Sequence, residues 1–431
     1  MKKCLAMLLC FLLFLGNAQA AVSVRMEDTA ALLDMDGAEI VPPGSYSDIV
    51  SLGDGLFAAQ QDGLWALMDG KGVLLTEPIY TELHIRDGLI IGRLDGKWGL
   101  LHRDGSRRCA FEYSLIVPSV SGNCWALRGD PNDMDSDKLY RIDPEGKQHA
   151  THIYVRALSR TAGEGLMSII RRGGSKYGYC DALGRIAIEP AYDYAGDFAN
   201  GVAAVVEGGR YGAINRRGET IVPAEYDFLE VSPSGIIIAA RNGEGAWVFD
   251  LEGNETARHE GGDVYIAAVG DGYAIINSEF LYVFDGNGAL QLEAPPTSVV
   301  LEGVNGQTII SDGMWGEECV YLSGTDVRYQ NLYPLGTAGE EALYACMQAN
   351  VGRYMNDLLG EIQLSTDMDS ARYGVVNGEG ELVVPCAYFS IEYLADDRLL
   401  VRAEDAWQMM DSTGRVLWQY AAPMQTEVPS F

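Results

Sequence analysis

The sequence predicts an all-β protein made of tandem units of about 35 residues, each contributing three short antiparallel strands. Two observations support this prediction. Glycines suited to tight turns recur at a nearly constant spacing, and apolar runs of strand length lie between them. We expect the units to form propeller-like blades, and the alternative is an open β-solenoid array.

Residues 200–235 show the unit most clearly. Residues 202–206 are apolar at every position, as expected for a strand buried on both faces. Gly208 and Gly209 follow and predict a hairpin turn. Residues 210–215 then form the returning second strand.

A second turn at Gly218 leads to the third strand, residues 220–222. Pro223 is expected to end that strand because proline has no N–H to donate to a β-ladder. Residues 224–235 are expected to form a loop that leads to the next unit.

Two positions seven residues apart mark each copy of the unit: the turn glycine and a preceding position that is often aromatic. The pairs are Ala30/Gly37, Trp65/Gly72, Trp98/Gly105, Leu139/Gly146, Tyr177/Gly184, Tyr211/Gly218, Ala246/Gly253, Leu281/Gly288, Glu317/Gly324, Arg353/Gly360, Tyr373/Gly380 and Trp407/Gly414. A tyrosine after the third strand recurs in phase at Tyr46, Tyr80, Tyr113, Tyr192, Tyr226 and Tyr388.

Four segments carry an aromatic–glycine pair at the same phase: residues 97–100, 176–179, 210–213 and 372–375. With the turn glycine that follows, they resemble WG repeats, tandem repeats of about 35 residues that are common in bacterial envelope and secreted proteins. The resemblance covers residues 21–420 almost throughout. It implies an all-β repeat scaffold and supplies no catalytic residues.

The repeated aromatic residues are predicted to be structural. Each is expected to bury about 150–250 Å² against the neighbouring unit, and the glycine that follows most of them is expected to let that unit approach closely. The alternative is a set of exposed platforms for a sugar or a peptide. The six residues are Trp65, Trp98, Tyr177, Tyr211, Tyr373 and Trp407.

The N-terminus has the features of a secretory signal peptide. Lys2 and Lys3 precede an apolar run, and residues 18–20 form an A-x-A cleavage pattern. We therefore expect a secreted or envelope-associated protein without membrane insertion after cleavage. The predicted organisation is a signal peptide (1–20), WG-type repeats (21–313), degenerate and then regular repeats (314–420) and a tail (421–431).

The chain is strongly acidic, with 31 Lys and Arg against 61 Asp and Glu and a net charge of −30. This charge repels phosphate backbones and anionic lipids, so nucleic acid is not an expected partner. Six cysteines follow the predicted signal peptide, at 109, 124, 180, 319, 346 and 386. Their spacing suggests no metal site and leaves both disulfides and buried thiols open.

An acidic segment is the one candidate for a metal site. Asp133, Asp135 and Asp137 alternate with other residues and could offer oxygen ligands to calcium, and the tetrapeptide Asp-Met-Asp-Ser of residues 133–136 recurs at 367–370. Both copies are expected in the hairpin loop between first and second strands. The alternative is an enlarged, solvated hairpin tip, and calorimetry with calcium distinguishes the two.

Sequence motifs of common enzymes are missing from the chain, so no catalytic residues are assigned. We expect a non-catalytic scaffold that binds a protein or glycan partner through variable loops, above all residues 129–138 and 325–341. The alternatives are an extracellular hydrolase or lyase on a β-propeller, and a purely architectural envelope protein.

The packing role of Trp98 can be tested by Trp98→Ala. If the ring lies in an interface between units, we expect the free energy of unfolding to fall by about 3–5 kcal/mol. Urea denaturation measures this loss. A change below about 0.5 kcal/mol, the usual range for surface positions, would count against the packing role.

Overall fold

The computed structural model describes residues 21–421 except 27, 130–136, 160–162, 263, 297, 306, 312–319, 326, 357–360 and 395–396. Over these residues the chain forms strands and a single 3-10 turn, Val120–Gly122. The strands pair antiparallel in small sheets, most of them with three or four members. The predicted all-β class with tandem antiparallel units is therefore confirmed.

The described residues fall into two compact units. One contains residues 21–62, 67–74 and 303–421, and the other contains residues 63–66 and 75–302. Strand β6 (Leu64–Asp69) lies where the chain passes from the first unit to the second.

The first unit contains strands from both ends of the chain. They are β1 (Ala21–Arg25), β2 (Ala30–Asp34), β3 (Glu39–Tyr46), β4 (Asp48–Gly53), β5 (Leu56–Gln61), β30 (Thr308–Ser311), β31 (Val320–Leu322), β32 (Asn331–Ala338), β33 (Glu341–Asn356), β34 (Glu361–Asn377), β35 (Leu382–Tyr388), β36 (Ser390–Leu394), β37 (Arg398–Arg402), β38 (Ala406–Asp411) and β39 (Val416–Ala421). Its sheets include β1–β3, β32–β35 and β36–β39, each paired in chain order.

The second unit contains the middle of the chain. Its strands are β7 (Glu82–Arg86), β8 (Leu89–Leu94), β9 (Lys97–Leu101), β10 (Leu115–Pro118), β11 (Cys124–Arg128), β12 (Asp137–Ile142), β13 (Gln148–Leu158), β14 (Leu166–Arg171), β15 (Tyr177–Asp181), β16 (Ile186–Tyr192), β17 (Tyr194–Ala195), β18 (Val202–Glu207), β19 (Arg210–Asn215), β20 (Thr220–Tyr226), β21 (Phe228–Val231), β22 (Ile237–Arg241), β23 (Gly245–Phe249), β24 (Glu255–Glu260), β25 (Tyr265–Val269), β26 (Gly272–Ile276), β27 (Leu281–Phe284), β28 (Leu290–Ala294) and β29 (Val299–Glu302). The long strand β13 pairs with both β12 and β14 and so joins two repeats in one seven-stranded sheet.

Many sheets contain a fourth strand within the segment that the sequence predicted to be a loop. Residues 228–231 form β21, which pairs with β22 as the first strand of the next sheet. The expectation of a loop over 224–235 is therefore wrong. The strand has only four residues, which alternate between exposed and less exposed positions. The Ser-Pro-Ser-Gly sequence that follows it is typical of a turn, so the whole segment resembles a loop in the sequence.

Pro223 does not end its strand. Strand β20 continues through the proline to Tyr226, which lies directly opposite Tyr211 of β19. Between this pair and the pair Ala213–Val222, residues 223–225 oppose the single residue Gly212. The strand therefore bulges here, where a proline needs no ladder partner for its nitrogen.

The glycine of the aromatic–glycine pair makes room for this bulge. A Cβ atom on Gly212 would lie 2.7 Å from the carbonyl oxygen of Val222 and 2.8 Å from the nitrogen of Ala224. Gly178 is enclosed in the same way by the bulge of β16, with the oxygen of Ile188 at 2.5 Å. The close approach thus comes from the next strand of the same sheet, and the expectation that a neighbouring unit requires the glycine is wrong.

Aspartate or asparagine side chains begin the turns that end at the recurring glycine. Oδ1 of Asp250 accepts hydrogen bonds from the backbone N–H groups of Glu252 and Asn254. Asn215 does the same with Arg217 and Glu219. Because each side chain satisfies two backbone donors within five residues, the turn is stabilised locally.

In the first unit the first and last sheets of the chain pack face to face. Val22, Val24 and Leu33 share a buried cluster with Leu400 and Met409. The indole nitrogens add hydrogen bonds: Trp407 donates to the carbonyl of Arg25 (2.9 Å) and Trp418 to that of Met35 (3.0 Å). The two sheets are each built from consecutive strands, so side-chain packing joins them.

One predicted copy is not a separate sheet. Strands β33 and β34 pair from Leu343–Asn377 to Asn356–Glu361, with one bulge between the pairs Gln348–Arg372 and Asn350–Asp367. Arg353 lies within β33, while Gly360 lies outside the described residues. The short spacing of the pair Arg353/Gly360 therefore marks a lengthened hairpin of the Tyr373 copy.

The bulge predicts that Gly212 is sensitive to the smallest side chain. Gly212→Ala places its Cβ against backbone atoms, so we expect a loss of about 1–3 kcal/mol in the free energy of unfolding. Gly262→Ala is a matched control, because among the described residues its Cβ would have no neighbour nearer than Gly243 at 3.8 Å. Urea denaturation of both variants tests this, and equal stabilities would contradict the steric role.

The turn carboxylates predict a specific acid response. Hydrogen bonds from Asn254 lower the pKa of Asp250, and one from the Thr413 hydroxyl lowers that of Asp411, below the unfolded value of 3.8. Their stabilising contribution is therefore present above that value and is lost as the pH falls through the folded-state pKa. The variant Asp250→Asn/Asp411→Asn keeps the Oδ1 acceptor of each turn and should lose less stability than the wild type between about pH 5 and pH 2.

Urea midpoints over this pH range provide the measurement. The exposed pair Asp36→Asn/Asp405→Asn makes the same change in charge and serves as the control. If both double variants respond to acid identically, net charge rather than the turns determines the response.

Candidate binding surface

All six repeat aromatics are half-buried and lie opposite a tyrosine, across a β-ladder or an isolated β-bridge. The pairs are Trp65–Tyr80, Trp98–Tyr113, Tyr177–Tyr192, Tyr211–Tyr226, Tyr373–Tyr388 and Trp407–Tyr420. Aromatic pairs directly across a ladder contribute to sheet stability. In the Tyr177, Tyr211 and Tyr373 copies the bulge begins at this aromatic pair.

These aromatics also contact the next sheet. Tyr211 packs on a buried cluster that contains Leu229 and Trp247 of the following sheet. Trp98 packs on a cluster that contains Ile116 and Ala126, again from the following sheet. Because Trp98 keeps part of its surface exposed, we expect Trp98→Ala to cost about 3 kcal/mol, the lower end of the range for large aromatic truncations.

A second set of aromatic residues is exposed, and we call it the edge row: Tyr194, Phe228 and Tyr265. They occupy the first position of β17, β21 and β25, which are edge strands of three successive sheets. Their exposed fractions are 49%, 39% and 72%. The residue after each one is buried, so the strand alternation directs the aromatic ring towards solvent.

The first two members of the edge row are positioned by the same polar contacts. Asp193 forms an ion pair with Lys176 and accepts a hydrogen bond from the N–H of Gly208 (2.9 Å). Asp227 forms an ion pair with Arg210 and accepts from the N–H of Asn242 (2.9 Å). Each aspartate immediately precedes its aromatic residue and so anchors the start of the edge strand.

Asp193 and Tyr177 both contact the start of strand β17 at Tyr194. The hydrogen bond from Lys176 and that from Gly208 hold the pKa of Asp193 below its usual value, so the carboxylate form that makes these contacts is favoured. The ring of Tyr194 packs edge-on against Tyr177, with 6.1 Å between ring centroids. Tyr194 is thus partly exposed to solvent while its ring is held by the contact with Tyr177.

The edge row was not predicted from the sequence. Its signal is a repeated triplet, Tyr-Asp-aromatic, at residues 192–194 and 226–228. The triplet did not predict an exposed strand, because residues 224–235 are expected from the sequence to form a loop. The third member, Tyr265, lacks the triplet and is found only by its place in β25.

The predicted acidic sites have different outcomes. Asp133 and Asp135 lie outside the described residues, and Asp137 begins β12. Residues 367–370 are not in a hairpin loop but within β34, at a bulge where the hydroxyl of Ser370 accepts from the N–H of Asn350 (2.7 Å). Among the described residues no group of three or more His, Cys, Asp or Glu side chains is arranged to hold a metal ion. The calcium site stays a prediction.

The predicted binding loops are partly strands. Of residues 325–341, Asn331–Ala338 form β32 and Glu341 begins β33. Of residues 129–138, the last two belong to β12, and 130–136 lie outside the described part of the chain. The assignment of 325–341 as a loop is therefore wrong over most of its length.

A family model for WG-containing repeats matches residues 32–65, 65–98, 177–211 and 211–244. The chain contains WG repeats. The matched copies include the pairs Tyr177–Tyr192 and Tyr211–Tyr226, so the bulge over the glycine is part of the WG repeat as this chain folds it. Two of the matches also cover both Tyr-Asp-aromatic triplets.

No curated protein matches the WG-repeat chain in sequence. Solved structures show weak similarity. A eukaryotic initiation factor is 10% identical over 64% of this chain and 85% of its own, with a TM-score of 0.40. BamB from Moraxella catarrhalis is 13% identical over 68% and 93%, with a TM-score of 0.31. Hsv2p from Kluyveromyces lactis is 8% identical over 74% and 97%, with a TM-score of 0.29.

None of the helical segments in the described part of the chain is both long and apolar enough to span a membrane.

Proposed function

We propose that this WG-repeat chain is a non-catalytic scaffold outside the cytoplasm that binds an apolar and basic segment of a partner protein along the edge row. The observation that carries the proposal is the exposure of large aromatic side chains at the equivalent position of three successive sheets. Large apolar side chains that are exposed at one repeated position, rather than scattered singly, are candidates for an interaction site.

The chemistry of the row suits a protein partner. Tyrosine and phenylalanine offer a large contact area with few rotatable bonds, so little conformational entropy is lost on binding. The rings of Tyr194 and Phe228 project from paired strands whose starts are held by Asp193 and Asp227. A rigid row of this kind supplies contact area rather than acid–base groups.

The charge of the chain favours a basic partner. A net charge of −30 attracts cationic segments and repels acidic ones over distances of about a Debye length, which is about 8 Å in physiological salt. The signal-peptide pattern of residues 1–20 supports an extracytoplasmic location. Both considerations narrow the partner to a basic, partly apolar protein segment of the cell envelope or its surroundings.

The proposal is tested with a displayed library of random peptides selected on immobilised protein of residues 21–431. We expect the selected peptides to combine Lys or Arg with apolar residues and to bind more weakly at high salt. The variant Tyr194→Ser/Phe228→Ser/Tyr265→Ser should bind them at least about tenfold more weakly, since aromatic residues dominate such interfaces.

A matched variant controls for the loss of exposed apolar surface. Leu183, Leu290 and Leu382 are exposed by 56%, 52% and 54% and lie outside the edge row. Leu183→Ser/Leu290→Ser/Leu382→Ser should leave peptide affinity unchanged. If the edge-row variant binds the selected peptides as tightly as the wild type does, or if the two triple variants are equally impaired, the edge row is not the binding site.

A further inference from the structure

Two cysteine side chains meet within the sheet β32–β35. Cys346 of β33 and Cys386 of β35 are free thiols, and their Sγ atoms are 3.3 Å apart. The two strands are not neighbours, because β34 lies between them. Strands two apart in a flat sheet are separated by about 9.5 Å, which is too far for their cysteines to react.

The repeat bulge removes this separation. Cys346 is paired with Gly374 of β34, and the residues of β35 opposite that glycine are 385–387. A Cβ atom on Gly374 would lie 2.8 Å from the nitrogen of Cys386, so the bulged backbone lies over the glycine. Because no side chain at 374 separates them, Cys346 and the bulged residue Cys386 approach until their sulfur atoms are 3.3 Å apart.

Equivalent positions in other copies carry apolar residues. In the Tyr211 copy, Val205 is paired with Gly212, and Ala224 is the middle residue of the bulge. In the Tyr177 copy the same positions are Ile169 and Pro190. The other two copies therefore fold with apolar residues at the positions equivalent to 346 and 386. The pair of cysteines is specific to the Tyr373 copy among these three.

We propose that Cys346 and Cys386 form a disulfide bond across Gly374 when the protein meets a disulfide oxidant. The Cys386 thiolate attacks one sulfur of the external disulfide, which forms a mixed disulfide and releases one thiolate. The Cys346 thiolate then attacks Sγ of Cys386 and releases the second thiolate. Two protein thiols are oxidised, the external disulfide is reduced to two thiols, and the two cysteine protons pass to solvent and then to the released thiolates.

The surroundings of the two thiols favour this order of attack. Cys386 is half-buried and can be reached by a small disulfide, whereas Cys346 is buried. The hydrogen bond between the thiols lowers the pKa of Cys386 and raises that of Cys346. Cys386 is therefore the sulfur that an external disulfide meets first, and its thiolate is the attacking form.

The bond would have a defined structural effect. It would connect β33 to β35 and close a loop, from residue 346 to residue 386, that contains all of β34. Closing this loop lowers the conformational entropy of the unfolded chain. The oxidised protein is therefore expected to be more stable than the reduced protein. The effect is reversible by reduction and independent of the edge row.

The test uses protein of residues 21–431, fully reduced and then incubated with oxidised glutathione. Intact mass should fall by about 2 Da, the mass of the two hydrogens lost on bond formation. Peptide mapping after alkylation should show one cross-linked peptide that joins 346 to 386, with Cys109, Cys124 and Cys180 alkylated. Reduction should then lower the midpoint of thermal unfolding by several degrees.

Cysteine variants test the role of each thiol. Cys346→Val/Cys386→Ala copies the apolar pair of the Tyr211 repeat, should fold, and should show no effect of reductant on its thermal midpoint. Cys346→Ser should accumulate one glutathione on Cys386, whereas Cys386→Ser should leave Cys346 unmodified. Alkylation of both thiols after oxidation of the folded wild type, or a cross-link from either of them to Cys319, would overturn the proposal.

Discussion

The backbone bulge that lies over Gly178, Gly212 and Gly374 is the contact on which these copies of the repeat depend. At Gly212 and Gly178 the next strand approaches closely enough that no side chain fits. This contact sets the register: the aromatic before the glycine lies opposite the tyrosine after the bulge. A shift of one residue would place a side chain where the backbone lies and would expose the buried face of the strand.

The register of the bulge determines where the next sheet begins. The tyrosine that closes the bulge is followed within two residues by the first strand of the next sheet, as with Tyr192 and β17 or Tyr226 and β21. Because each sheet begins at the same phase, the first residues of successive edge strands occupy equivalent positions. The repeat geometry thus fixes where the residues of the edge row lie. That they are large and aromatic is what makes the row a candidate binding site.

Local chemistry explains which features were predictable. The turn at Gly253 is encoded within five residues by the Asp250 side chain and the glycine, so the spacing of such turns predicted the all-β class and the phase of the strands. Pro223 was expected to end its strand because a proline cannot donate to a ladder. That expectation holds for a regular strand and fails at a bulge, where the donor is not needed.

The sequence by itself determined the repeat, its turns and its all-β class, because those depend on contacts between residues close along the chain. Tertiary structure decided what depends on residues far apart. The packing of Trp407 and Trp418 on the first sheet joins residues more than 380 positions apart. The meeting of Cys346 with Cys386 and the exposure of Tyr265 likewise follow from strand placement, which no local pattern specifies.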